Sequence, residues 1–394
     1  MFTQRKLAAA TLALALCAPF AGAAAADNYD INVILPQTGG ASFLGKAEMH
    51  ALELVQKTVN ASGGIHGKQL QFKFYDDQSS PQTAVQMANQ VLATKPSVMI
   101  GPAIVAMCNA VAPLVKEGPV MYCMSPGIHP PAGSYVFTSS VSTHDLENAL
   151  IRYFRMKGWT RIALITSTDA SGQDAERGVD EVLKLPENKD VKLVERVHFN
   201  PTDVSVAAQI ERVKAAKPQA FIAWSTGAPI ATIFKGIVQA GLDVPVATTD
   251  GNMTYTQMTQ YAAFLPKQLY FPSAAWAARG PGVEVPAAVQ KAQDEFYAAY
   301  KAEGAAPDAA ANHGWGPAMT VIDALRKLPE NATAAQVRDY LAKQTSYAGI
   351  NGVYDFQKVP QRGLSVQNAI VTRWDAAQQR WEPVSKATGI PLAN

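Results

Sequence analysis

The sequence predicts an α/β protein built as two successive blocks, each a parallel sheet with helices on both faces. Three observations lead there. Strand-like apolar runs alternate with helix-length segments along most of the chain. The strand-then-helix order repeats three times before about residue 141 and starts again at "RIALITS". The chain has 394 residues, 48% of them hydrophobic and 17% charged, enough apolar material for two domains of ordinary size.

The elements follow in order. "INVILP" is a short apolar strand. The next helix is expected over 46–60, because Met49, Leu52, Val55 and Val59 recur at helical spacing and share one face. The glycines of "ASGGIHGKQ" end it, and "LQFKFYD" alternates as a strand does. A helix over 81–93, the strand "PSVMIG", a helix over 105–116 and the strand "GPVMYCM" complete the first block. A helix over 146–157 leads into the second block, whose strands are "RIALITS", "VKLVERVHF", "QAFIAWS", "VPVATTD" and "QLYFPSAAW". Its helices are expected over 175–185, 204–216 and 230–240. Three more helices, over 287–303, 310–328 and 334–344, precede a final segment that alternates like antiparallel strands joined by turns.

The first residues read as an export signal. Arg5 and Lys6 give a positive start, residues 7–20 an apolar core, and "AGAAAAD" small residues before Asp27, so cleavage is expected after Ala26. The apolar core is short for a bilayer span, and no later run approaches the roughly 20 residues a span needs. Leu16 precedes Cys17 where a lipoprotein needs a small residue, which argues against lipidation. Removing Arg5 and Lys6 from the 34 basic residues leaves 32, equal to the 32 acidic ones. A balance near zero speaks against nucleic-acid or anionic-membrane partners, which call for a basic excess. Cys108 and Cys123 remain after cleavage. They form either a disulfide in an oxidising compartment or two buried thiols.

Motifs for catalysis are weak. The chain has no G-x-S-x-G elbow and no H-E-x-x-H helix. Its six histidines, at 50, 66, 129, 144, 198 and 313, show no local ligand pairing, so neither a metal site nor a cofactor is expected. Asp76 and Asp77 are adjacent on a strand and point to opposite faces, which makes them poor partners for acid–base work. From Gly40, "GASFLGKA" approaches the nucleotide-binding pattern G-x-x-x-x-G-K-[ST], but Ala47 replaces the hydroxyl that would bind Mg²⁺. Lys46 is therefore expected to be solvated, and the loop to present backbone amides to a small solute.

The loops at the carboxyl ends of the strands say more. "PQTGGASF", "GPAIVA", "SPGIH", "STDASGQD", "WSTGAP" and "TTDGNMTY" are rich in Gly, Ser and Thr and carry isolated aromatics such as Phe43 and Trp224. Ligands of open parallel sheets bind at such strand ends, and this composition suits a small-molecule cleft.

The ordered stretches "ILPQTGGASFLGKAEMHALELVQKTVNASGGIHGKQLQFKFYDDQSSPQTAV", "MIGP", "MSPG", "GSYVFTSS" and "VHFNPTDVSVAAQIERVKAAKPQAFI" resemble the Leu/Ile/Val-type (type I) periplasmic substrate-binding proteins of ABC importers. The resemblance covers essentially the whole mature chain. It implies two Rossmann-like lobes joined by three crossovers, with the ligand cleft between them and hinge closure on binding. The amino-terminal lobe is then 27–144 plus 277–346, and the carboxyl-terminal lobe 145–276 plus 347–394. By the same resemblance, the two hydroxyl positions that grip a ligand carboxylate fall on Val105 and His129, with Gly127 as backbone donor. Asp250 takes the ammonium, Ser171 stands at an aromatic lining position, and Trp224 and Phe43 wall the pocket. The implied function is a periplasmic, non-enzymatic receptor. It would deliver an amino acid or an aromatic or organic acid to a membrane permease, acting as a monomer. A sensor subunit of the same fold and an exported enzyme using the same cleft remain open as alternatives.

Overall fold

Ile31, Val33, Ile34 and Leu35 are all fully buried, so the first strand, β1 (Tyr29–Leu35), carries apolar side chains on both faces. Such a strand must lie inside a parallel sheet covered by helices. The computed structural model, which describes residues 28–393, shows this arrangement twice; the expected signal and its cleavage site lie outside the described residues.

The first sheet takes β1, β2 (Leu70–Asp76), β3 (Val98–Ile100), β4 (Val120–Cys123) and β5 (Val136–Thr138), in the spatial order β2-β1-β3-β4-β5, all parallel. Helices α1 (Ser42–Ala61), α2 (Pro81–Ala93) and α3 (Val105–Val111) connect them. The chain then crosses and enters α4 (Thr143–Met156). The second sheet begins with β6 (Arg161–Ser167), α5 (Ala170–Leu183), β7 (Lys192–Phe199), α6 (Ala207–Ala215), β8 (Ala220–Trp224), α7 (Ile230–Gln239), β9 (Val246–Ala247), α8 (Tyr255–Gln260) and β10 (Leu269–Ala274). Its order, β7-β6-β8-β9-β10, repeats that of the first sheet. The two lobes also share a packing device at the start of their first helix. A Cβ on Gly45 would come within 2.0 Å of the Pro36 carbonyl oxygen, and one on Gly172 within 1.9 Å of the Ser167 oxygen. Only glycine lets each helix start so close to the preceding strand.

After β10 the chain returns to the first lobe as α9 (Ala287–Ala302), α10 (Ala309–Lys327) and α11 (Ala334–Lys343), with α10 packed along α1. The antiparallel hairpin β11 (Tyr347–Gly349) and β12 (Gly352–Tyr354) lies against α9 and α10, so residues 347–364 stay on the first lobe instead of leaving it at 347. Aromatic packing accounts for this. Tyr354 stacks on Phe356, which meets Phe137 of β5 edge-on. The last crossing falls near Ser365 and leads to β13 (Ala369–Asp375) and β14 (Arg380–Pro383), which extend the second sheet in antiparallel sense beyond β10. That sheet is therefore mixed, not wholly parallel.

Buried Arg362 ties two of the crossings together. Its guanidinium donates to the carbonyls of Ser139 and Ser140 on the first crossover, and to those of Pro126 and Ile128 on the loop after β4. Burial lowers its pKa to about 10. Among the described residues no helix is long and apolar enough to cross a membrane.

Candidate functional site

Because both sheets share one strand order, the loops at their carboxyl ends face each other across the gap between the lobes. The residues after β3 and β4, the first turn of α1 and one turn of α10 meet the loops after β6, β8 and β9 there. Together they enclose a cavity of about 30 Å³, room for roughly one water. The lobes are closed on each other. The Ala228 amide donates to the Gly40 carbonyl at 3.2 Å, and the Ala309 amide to that of Met253 at 3.1 Å.

The second lobe supplies most of the polar groups. The hydroxyls of Ser171 and Thr226 are 2.9 Å apart, one bonding the other. Asn252 locks the loops behind them: its side-chain amide donates to the Ser225 carbonyl at 2.7 Å and to Thr248 Oγ1 at 3.0 Å, while its oxygen accepts from the Gly227 amide at 2.9 Å. This fixes the turn carrying Asp250, whose carboxylate is fully buried. Thr249 Oγ1 donates to Asp250 Oδ1 at 3.3 Å, and His313 Nε2 lies 3.2 Å from Asp250 Oδ2. His313 belongs to α10, so this contact joins the lobes. Pro317, four residues on, has no N–H to bond the His313 carbonyl. At the head of α10, Asp308 caps the helix by accepting from the Ala311 amide at 2.9 Å. Burial pushes its pKa up to about 6 against the pull of the backbone N–H groups it accepts from. Among the described residues, no Lys or Arg lines the cavity.

Of the residues singled out in the sequence, Val105, Gly127, Ser171, Trp224 and Asp250 lie at this cavity. Phe43 does not. The helix starts earlier than expected, at Ser42, so Leu44 turns toward the cavity while Phe43 meets Tyr261 of the second lobe edge-on, 6.3 Å between ring centres. His129 does not either. The loop turns outward after Gly127, buries Ile128 and leaves His129 exposed along an outer groove of about 370 Å³ beside α3. Cys108 and Cys123 are bonded, linking α3 to β4 behind the first-lobe wall. Lys46 is exposed. The cavity residues that sequence reasoning passed over include Ser125, Thr226 and Thr249, hydroxyls inside loops already marked as strand ends, and Thr143 at the start of α4. His313 carried no local signal, because only the return of α10 to the first lobe brings it to the cleft.

The sequence pattern of the family described as "Periplasmic binding protein" matches residues 29–379. The chain belongs to this family. Its relatives are binding proteins, not enzymes. The Leu/Ile/Val-binding protein homolog 3 of Brucella melitensis is 28% identical over 184 residues, 47% of this chain and 43% of that protein. The leucine-, isoleucine-, valine-, threonine- and alanine-binding protein of Pseudomonas aeruginosa is 22% identical over 58% of this chain and 61% of its own length. The matched region thus spans less than two thirds of either relative. Among solved structures, a type 1 periplasmic binding protein from Bordetella pertussis superposes with a TM-score of 0.77 at 22% identity, covering 91% of this chain and all of that one. LivJ of Streptococcus pneumoniae, solved with isoleucine, gives 0.74 at 20% identity over 90% of this chain and 98% of that one. These likenesses establish the type I fold with two α/β lobes.

Proposed function

We propose that the protein is a periplasmic solute-binding receptor that captures a small α-amino acid between its lobes and delivers it to an ABC permease. The observation that carries this reading is Asp250. It is a fully buried carboxylate in a cavity lined, among the described residues, by no Lys or Arg, and both of its contacts there are at the long end of the hydrogen-bond range. A buried anion needs a cation or strong donors, and a ligand ammonium supplies both. A solute that is only a carboxylate would instead bring a second negative charge beside Asp250. The ligand carboxylate is met by the hydroxyls of Ser125, Thr143, Ser171 and Thr226, which stand in for the family's hydroxyls at the positions that Val105 and His129 occupy in this chain. Leu44, Ile104, Val105 and Trp224 offer apolar walls to the side chain. The Brucella and Pseudomonas relatives, named as binding proteins for leucine, isoleucine and valine, favour a branched-chain solute. A cavity of about 30 Å³ is smaller than any amino acid, so the solute enters with the lobes apart and they close on it.

A thermal-shift screen tests this, setting amino acids against aromatic and aliphatic carboxylates that lack an amino group. A ligand bound only by the folded state raises the melting temperature according to its concentration relative to Kd. Stabilisation by one or a few amino acids, and not by their deaminated counterparts, is the expected result. Stabilisation by the plain carboxylates alone overturns the assignment.

A further inference from the structure

We propose that the outer rim of the cleft carries a lobe-bridging site for a divalent transition metal, formed by His129, His144 and Asp174. The sequence shows no local pairing among these residues. The fold makes it: His129 stands on the loop after β4 in the first lobe, while His144 and Asp174 stand on α4 and α5 in the second.

The geometry is close to what such an ion requires. His129 Nε2 is 2.9 Å and His144 Nε2 3.3 Å from Asp174 Oδ1, and one ligating atom from each residue lies within 4.8 Å of the others. Four ligands held tetrahedrally at about 2.0–2.1 Å sit about 3.3 Å from one another, so only a small expansion admits the ion. His144 is prepared for coordination. Its Nδ1 is 2.9 Å from Glu181 Oε2, a carboxylate able to accept the imidazole proton on that side, while the buried Nε2 faces Asp174 Oδ1 at 3.3 Å. A carboxylate behind a ligating histidine orients the ring in this way in metal sites generally. Asp174 is 1% exposed and its Oδ2 has no hydrogen-bond partner. Arg177 reaches Asp174 Oδ1 at 3.1 Å from a side chain that is 60% exposed, so it can swing into solvent. His129 is 43% exposed, which leaves an entry path and an open fourth position. Two imidazoles and one carboxylate suit Zn²⁺, Ni²⁺ or Cu²⁺ and not Mg²⁺ or Ca²⁺.

The site borders the solute cavity. A Cβ on Gly127, which lines that cavity, would sit 3.2 Å from Asp174 Oδ2. Since His129 alone comes from the first lobe, the full ligand set exists only with the lobes closed. The metal therefore favours closure by as much as its affinity differs between the two states. This does not depend on which solute the cleft accepts.

Zn²⁺ titration of chelator-treated protein, by calorimetry and by small-angle scattering without solute, tests the proposal. The expected result is binding at one ion per chain, with a smaller radius of gyration. His129→Ala, at an exposed position, should lose at least tenfold in Zn²⁺ affinity and abolish the compaction. Glu181→Gln should lose about 10- to 100-fold through the orienting carboxylate. Co²⁺ in place of Zn²⁺ should give the intense visible absorption of a tetrahedral N/O site in the wild type and lose it in His144→Ala. Absence of one-to-one binding in the wild type, or equal affinity in His129→Ala, overturns the proposal.

Discussion

Among the described residues, two carboxylate–imidazole contacts join the lobes, and they sit in opposite surroundings. The inner one, Asp250 with His313, is 0% and 2% exposed and spans 3.2 Å. In the outer one Asp174 is 1% exposed, but His129 is 43% and His144 20% exposed. At the rim, burial would raise the Asp174 pKa, yet hydrogen bonding to His129 and the nearby His144 imidazole hold it well below the usual carboxylate range. Burial likewise opposes charge on His144, and the Asp174 and Glu181 carboxylates outweigh it and raise its pKa. The same pair of functional groups thus stands in two settings: inside, charges interact through a low-dielectric space, and at the rim water and ions compete.

The largest effect should come from the inner pair. Asp250→Ala should weaken binding of the amino acid found in the screen by about 2–5 kcal/mol, the usual loss on removing one member of a buried charge pair. In chelator-treated protein, His129→Ala should cost under about 1 kcal/mol, in the range of exposed pairs. Calorimetry on both variants measures the contrast. Equal losses would mean that the two contacts are not functionally distinct, and unchanged affinity in Asp250→Ala would remove the ammonium role.

A second test concerns the helix that carries His313. Asp308 has its pKa raised to about 6, above an unfolded value of about 3.9. Between those values the folded state binds more protons than the unfolded one, so Asp308 makes the protein less stable as pH rises through this window. Asp308→Asn keeps a side chain able to cap α10 and removes the titration. It should match the wild type near pH 4 and exceed it by about 1–3 kcal/mol near pH 7. Urea melts at both values check this; a constant difference across the window would show that burial of this charge is not what is being felt.

Much of this arrangement was legible in the sequence, and the boundary of legibility is physical. Strands buried on both faces, such as residues 31–35, and helices with one apolar face declare themselves through local periodicity. Loops at strand ends declare themselves through Gly, Ser and Thr, and this marked Trp224, while the family resemblance marked Ser171 and Asp250; all three lie at the cavity. What a linear pattern does not encode is the direction of a side chain within a loop or a first helical turn. Phe43 is adjacent to cavity-lining Leu44, and outward-facing His129 lies two positions after Gly127. Nor does it encode contacts made by chain return. The lodging of 347–364 on the first lobe, the Asp250–His313 pair, and the meeting of His129 with His144 and Asp174 all depend on elements far apart in sequence.

The smallest effect sharpens the contrast through salt. Raising ionic strength from about 0.1 M to 1 M shortens the screening length from about 10 Å to 3 Å, and solvated charges feel this while dry ones hardly do. In chelator-treated wild-type protein, closure should weaken by under about 1 kcal/mol over that range, read as a modest rise in solute Kd. His129→Ala should lose most of that dependence, because it deletes the first-lobe half of the exposed contact and leaves the inner pair in place. An unchanged salt slope in His129→Ala would trace the dependence to other charges and leave the rim contact with no part in closure. A large slope that survives in His129→Ala but vanishes in Asp250→Ala would show that the inner pair is reached by ions, and so that the cleft is wetter in solution than its closed geometry implies.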